Sequence, residues 1–257
     1  MKHLPNLLTL ANLFSGCIAI AFILNAQPFI SSFNNAEYWV VGTEQMYWGA
    51  YFILFAAFFD LIDGPVARAL KVTSPIGAQL DSLADLVSFG VAPSMILFKM
   101  LWATYMSQPE ALDAPMLAMT PAFIVACAGA LRLARFNVNH QASKNSFTGM
   151  PIPAAGIFIA ILPLLNWYNP YGWGVYLQNK WTIYAVIAVL SWLMVSRIRF
   201  IKLIPAKLSA KDLWPQLLIL IAGIAGWFVV HIAIVPIVFV LYIVLSFIHK
   251  PSEEKIS

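Results

Sequence analysis

Four aspartates, Asp60, Asp63, Asp81 and Asp85, stand close together in an otherwise apolar part of the chain. Acidic side chains are costly in a membrane-compatible segment, so four of them point to function before packing. Asp60 and Asp63 are spaced i,i+3, and Gly64 and Ala67 continue that helical face; Gly77, Asp81 and Asp85 are spaced i,i+4,i+8. Each helix therefore presents a two-carboxylate face with a small residue beside it. Carboxylates converging in a low-dielectric setting repel unless a cation neutralises them. Ligands that are all oxygen select hard divalent ions such as Mg²⁺, Mn²⁺ or Ca²⁺ over zinc. Such ions bridge phosphates, and two of them clamp a pyrophosphate and spread the charge of an in-line displacement. Glycines at 64 and 77 let a ligand approach the backbone, and Arg68 offers a planar fork for phosphate.

The elements that carry these residues are membrane helices. The 257 residues are 61% hydrophobic and 10% charged, with a mean hydropathy of +0.80, whereas soluble domains average about 25% charged. Apolar runs separated by polar or Pro/Gly breaks predict eight spans, at roughly 7–26, 46–70, 77–103, 116–138, 151–167, 181–198, 214–229 and 232–248. The break between the last two is expected as a tight hairpin near Gly223 and Gly226; without it the chain has seven spans. Thr73-Ser74-Pro75 breaks the chain between the two acidic helices, and Pro75 suits the first turn of the second. The expectation is an all-α polytopic membrane domain over residues 1–250, with the catalytic motif at 60–85 and a short cytoplasmic tail at 251–257.

Of the fifteen Lys and Arg residues, all but Lys99 and Lys180 fall on one side of this topology. Cations in short loops favour the cytoplasm, so both termini and the acidic cluster are expected there, in the cell's inner membrane. The pI of 9.1 reflects these dispersed loop cations and not a nucleic-acid patch. Cys17 and Cys127 lie inside apolar stretches and predict neither a disulfide nor a zinc site. Lys2 precedes the first apolar run, but the run approaches full spanning length and lacks a small-residue cleavage site, so it reads as an anchor.

The pattern Asp60-x2-Asp63-Gly64-x2-Ala67-Arg68-x8-Gly77-x3-Asp81-x3-Asp85 resembles the complete signature of the CDP-alcohol phosphatidyltransferase family. The resemblance implies a six-helix core, here with two further helices, a cytoplasm-facing cavity, two divalent metal ions (Mg²⁺ or Mn²⁺), and a homodimer. It implies that Gly64, Ala67, Arg68 and Gly77 contact the CDP moiety. Asp60, Asp63 and Asp81 would ligate metal, and Asp85 would be a ligand, the general base for the attacking alcohol, or both.

Three further segments resemble the serine-using branch of that family: Pro5 to Asn12 with Gly16, Arg132 to Asn137, and Phe147 to Pro153. The substrates so implied are CDP-diacylglycerol and L-serine, with phosphatidylserine and CMP as products. Asn6, Thr9 and Asn12 recur as a polar stripe suited to the wall of a nucleotide cavity or to interhelical hydrogen bonds. Arg132 and Arg135 are candidates for phosphate or the serine carboxylate, or for positive-inside anchoring, and Lys144 is a candidate for headgroup or phosphate contact. Glycerol 3-phosphate or inositol phosphate as acceptor would need a more basic pocket than these three cations obviously supply. A transporter would place its acids near the bilayer midplane on broken helices in two related halves, and the sequence has no such second half. The aromatic run Trp167 to Trp173 reads as an outer interfacial belt.

Overall fold

The computed structural model describes residues 4–25, 28–33, 36–41, 44–70, 75–108, 115–139, 149–198, 200–201 and 210–248, with the backbone alone at 28–33, 36–41, 44 and 210–213. Lys144, the tail at 251–257 and the Thr73-Ser74 break lie outside the described residues.

The first helix, α1 (Leu4–Leu24), buries Pro5, Thr9, Asn12, Gly16, Ala19 and Ile23, a stripe advancing by alternating fours and threes. Leu7, Leu10 and Phe14 point outward and are exposed. Without a hydrophobic driving force between helices in lipid, small and polar residues make the interface and large apolar ones face the chains. The outward sequence of α1 is therefore more hydrophobic than its packed face. Alongside it runs α2 (Glu44–Ala69). Gly49 sits so close to Ile23 and the Ala19 carbonyl that a Cβ there would overlap them at 2.5–3.1 Å.

The third crossing is continuous from Pro75 to Met106 but not uniformly α-helical. It comprises α3 (Pro75–Asp85), a π-helical turn (Leu86–Val91) and α4 (Ala92–Met106). π turns are rare and concentrate at functional sites, and this one begins immediately after Asp85. It is gripped from two sides. A Cβ on Gly16 would meet Ser88 Oγ closer than any real contact allows, and one on Gly156 would stand 2.8 Å from the Phe89 backbone.

Two short 3₁₀ turns lead into α5 (Ile124–Asn139), followed by α6 (Ile152–Tyr168), the single turn α7 (Gly174–Leu177) and α8 (Lys180–Val195). The turn into α6 is stiff, as its Gly-Met-Pro-Ile-Pro sequence predicts: Gly149 has φ +84°, and its N–H donates to the Ile198 carbonyl at 2.8 Å. Last come α9 (Ala210–Val230) and α10 (Ile234–Ile248). The apolar stretch Trp214–Ile248 is long enough for one tilted span, yet it is two arms. His231 takes φ 50°, and Gly226 lies against Ile234, which along an unbroken helix would be about 12 Å away. The reversal thus falls a turn later than the glycines suggested, and the described residues divide into eight helical crossings.

One segment departs from an all-helical reading. The first connection on the far side forms an antiparallel hairpin, β1 (Pro28–Phe33) with β2 (Ala36–Val41), in which Phe33 pairs with Ala36. Its Phe, Ile, Tyr, Trp and Val content suits a pleated surface. The spanning part of this multi-pass membrane protein remains entirely helical among the described residues.

Hydrogen bonds fix which helix ends lie together. At one end Thr9 reaches Asp63, Ser82 reaches Asn137, Arg135 reaches Val195, and Tyr242 reaches Ile201. At the other end the Tyr184 hydroxyl meets the Tyr105 hydroxyl and the Ala118 carbonyl, the Lys180 ammonium lies 5.0 Å from the Tyr105 ring, and Tyr47 packs on Trp167. Lys180 and the Trp167 aromatic belt therefore lie at the end away from the aspartates. An apolar cavity of about 710 Å³, between α2, α6 and the α9–α10 turn, also opens at that far end, remote from the carboxylates.

Candidate active site

Asp60 and Asp63 occupy the last turns of α2, and Asp81 and Asp85 the last turns of α3. The break between the helices folds the two acidic faces together as the spacing predicts. One oxygen from each of Asp60, Asp63 and Asp81 lies within 4.8 Å of the others, and the Asp85 carboxyl interacts with Asp60 beside them. Asp63 and Asp85 are each only 8% exposed, and Asp60 and Asp81 are half-buried.

This donor set fits a hard divalent ion. Oxygens on opposite sides of Mg²⁺ at its usual bond length of 2.0–2.1 Å stand roughly 4 Å apart, and around Ca²⁺ nearer 5 Å. A 4.8 Å cluster is thus the size of one coordination sphere, and Asp85 beside Asp60 extends it toward a second. Four carboxyls this close repel strongly unless cations or protons come between them.

The first helix holds the acids in place. Thr9 Oγ1 donates to Asp63 Oδ2 at 3.0 Å and is also 3.1 Å from the Pro5 carbonyl one turn back. Asn12 Nδ2 donates to Asp85 Oδ1 at 3.5 Å, and Ser88 Oγ, in the π turn, donates to the Asn12 carbonyl at 3.0 Å. Residues one helical turn apart on α1 therefore each take one carboxylate, Thr9 from α2 and Asn12 from α3. The polar stripe was legible in the sequence, but its targets were not. Asn6 is half-buried on the same helix.

Gly64 follows Asp63 directly, and among the described residues outside its own helix backbone the only atom within 4 Å of a Cβ placed there is Arg68 Nη1, at 3.7 Å. Packing among the described residues does not require glycine at this point, although glycine in a helix costs about 1 kcal/mol against alanine. Arg68 is exposed one turn further on, with Ala67 and Gly77 half-buried beside this surface.

The two arginines of α5 part company. Arg132 is buried at 7% exposure, over the Phe136 ring at 5.5 Å and within electrostatic reach of Asp85. Arg135 is exposed and donates from Nη1 to the Val195 carbonyl at 3.1 Å, at the end of α8. A cation at a helix C-terminus satisfies an orphan carbonyl and complements the dipole, so the structure gives Arg135 a structural partner. On the same helix Asn137 exchanges hydrogen bonds with Ser82, at 3.0 and 3.3 Å, tying α5 to α3 between Asp81 and Asp85. Sequence reasoning passed over Ser82; its place one residue after Asp81 was the available signal. Cys17 and Cys127 are both free and exposed.

The model of the CDP-alcohol phosphatidyltransferase family matches residues 2–195. The chain belongs to that family. The match ends at the close of α8, so the family core comprises six crossings and α9–α10 are the additional pair. Among CDP-alcohol phosphatidyltransferases, the chain is 34% identical over 202 residues to a Bacillus subtilis protein named CDP-diacylglycerol–serine O-phosphatidyltransferase, covering 78% of this chain and 90% of that one. A Helicobacter pylori protein of the same name is 33% identical over 76% of this chain and 70% of its own. An archaetidylserine synthase of Methanothermobacter thermautotrophicus is 32% identical over 65% of this chain and 60% of its own.

Proposed function

We propose that this membrane enzyme transfers the phosphatidyl group of CDP-diacylglycerol to L-serine, giving phosphatidylserine and CMP. The observation that carries the reading is the convergence of Asp60, Asp63, Asp81 and Asp85 beside the open backbone at Gly64 and the exposed Arg68. The names of the relatives support serine as acceptor, since the bacterial and archaeal proteins differ in lipid donor and share a serine headgroup.

In this reading Asp60, Asp63 and Asp81 hold divalent metal, Mg²⁺ or Mn²⁺, with Asp85 completing the set. Bound metal supplies charge stabilisation for a pyrophosphate whose bridging bond is being broken. Gly64, Ala67 and Gly77 let the CDP moiety lie against the helix backbones, and Arg68 takes a phosphate oxygen through its fork. The α1 face carrying Asn6 and Thr9 walls the nucleotide side. The serine hydroxyl oxygen attacks the β-phosphorus, the bond from that phosphorus to the CMP oxygen breaks, and the hydroxyl proton passes to Asp85. In the same reading buried Arg132, within electrostatic reach of Asp85, receives the carboxylate of serine, with Lys144 a candidate for lipid phosphate. The acidic end of the bundle faces the cytoplasm with both termini, where the loop cations concentrate. The enzyme works as a homodimer in the inner membrane.

Direct displacement has a simple kinetic test. Labelled CMP incubated with enzyme, Mn²⁺ and CDP-diacylglycerol is expected not to exchange into the lipid until serine is added. Exchange without serine, or a phosphatidyl group trapped on an aspartate, would overturn the single-step mechanism.

A further inference from the structure

Asn12 is fully buried, and its hydrogen bonds account for all but one of its polar atoms near the site. Nδ2 donates to Asp85 Oδ1, and the backbone carbonyl accepts from Ser88. Among the described residues the side-chain oxygen Oδ1 has no hydrogen-bond partner. Turning the amide over does not relieve this, because it would set an oxygen against the Asp85 carboxylate. A buried acceptor with no donor is rare enough to need a physical reason, and this one belongs to the same small amide that touches the acidic cluster.

We propose that Asn12 is part of the metal site: Nδ2 holds Asp85, and Oδ1 is a neutral oxygen ligand for a divalent ion seated beside that carboxylate. Hard cations take amide carbonyl oxygens together with carboxylates, so the ion supplies what no donor supplies to Oδ1. Charge also favours a neutral ligand. Four carboxylates balance two divalent ions, and a fifth would leave the site net negative toward an incoming pyrophosphate. The Nδ2 contact, long at 3.5 Å, leaves Asp85 free to shift toward the ion while staying tethered. Gly16, one turn beyond Asn12 on α1, lets the π turn close in so that Ser88 can fix the Asn12 backbone.

This inference rests on the proposed carboxylate metal site, and the test separates the two. Mn²⁺ binding to the full chain in lipid nanodiscs, without substrate, is followed by electron paramagnetic resonance for the wild type, Asn12→Ala and Asn12→Asp. The wild type is expected to bind two ions. Asn12→Ala should lose on the order of 10–100-fold in affinity at one of them and keep the other. Asn12→Asp, which restores an oxygen but removes the N–H, should recover Mn²⁺ affinity while raising the KM for CDP-diacylglycerol. Wild-type binding in Asn12→Ala would overturn the proposal, as would an Asn12→Asp variant as weak as Asn12→Ala, which would leave only the N–H with a role. Should the alanine variant fail to fold, Asn12→Leu, closer in volume, makes the same comparison. A wild type that binds no Mn²⁺ would sink the metal reading itself.

Discussion

The four aspartates are legible in the sequence because charge inside apolar segments is expensive, and the i,i+3 and i,i+4 spacings fix which faces they share. Their neighbours are less legible. Arg132 and Arg135 are the same residue type in one motif, yet one is buried near Asp85 and the other caps α8. The packing of α5 on α8 decides this, and spacing along α5 alone does not report it. At this scale the carboxylates are expected to divide by role. Asp60→Asn and Asp81→Asn should abolish both turnover and Mn²⁺ binding. Asp85→Asn should keep Mn²⁺ at the Asp60–Asp63–Asp81 cluster and lose roughly 10²–10⁴-fold in kcat, the usual contribution of a positioned base. Parallel binding and rate measurements check both. Loss of all metal from Asp85→Asn would reassign that residue to the ligand set alone.

Element positions followed the sequence closely, since each of the eight predicted spans coincides with a helix or helix pair to within a few residues. The π turn after Asp85 was invisible. Leu86-Val87-Ser88-Phe89-Gly90-Val91 contains no proline, and the distortion depends on Gly16 and Gly156 admitting Ser88 and Phe89 so closely. A β-methyl at position 156 pushes against the backbone and Cβ of Phe89. Gly156→Ala should therefore destabilise by about 1–3 kcal/mol, the usual cost of overpacking, and depress kcat by displacing Asp85. Gly223→Ala, with nothing within 4 Å, should leave stability unchanged or raise it slightly. Thermal unfolding in detergent distinguishes the two, and equal melting temperatures would contradict the tight packing of the π turn. The far-side hairpin does not show in spanning hydrophobicity, although its aromatic and β-branched residues carry a strand signal.

For the whole molecule, alternation of eight crossings gathers the helix ends bearing the aspartates, Arg132 and Tyr242 at one end and the Tyr105–Tyr184 pair at the other. The bias of loop cations predicts a direction relative to the cell, which helix packing does not supply. Cys17 and Cys127 are exposed on spanning helices, so replacing both with serine gives a background for labelling. In intact cells a membrane-impermeant thiol reagent should reach Ser107→Cys, at the end of α4, and miss Ala69→Cys, at the end of α2; the reverse would invert the topology. The same packing explains why chemistry on a lipid can occur here. In the proposed reading the acidic end supplies the metal and nucleotide contacts, while Leu7, Phe58 and Leu61 are exposed on the α1 and α2 faces, where acyl chains can lie.

One competition decides which alcohol is the acceptor. Purified protein with CDP-diacylglycerol and Mn²⁺ is given serine, glycerol 3-phosphate and inositol phosphate together, and the lipid products are read by mass spectrometry. Phosphatidylserine with an equal amount of CMP is the predicted result; a lipid with a phosphorylated headgroup would contradict the assignment of serine while leaving the displacement chemistry in place.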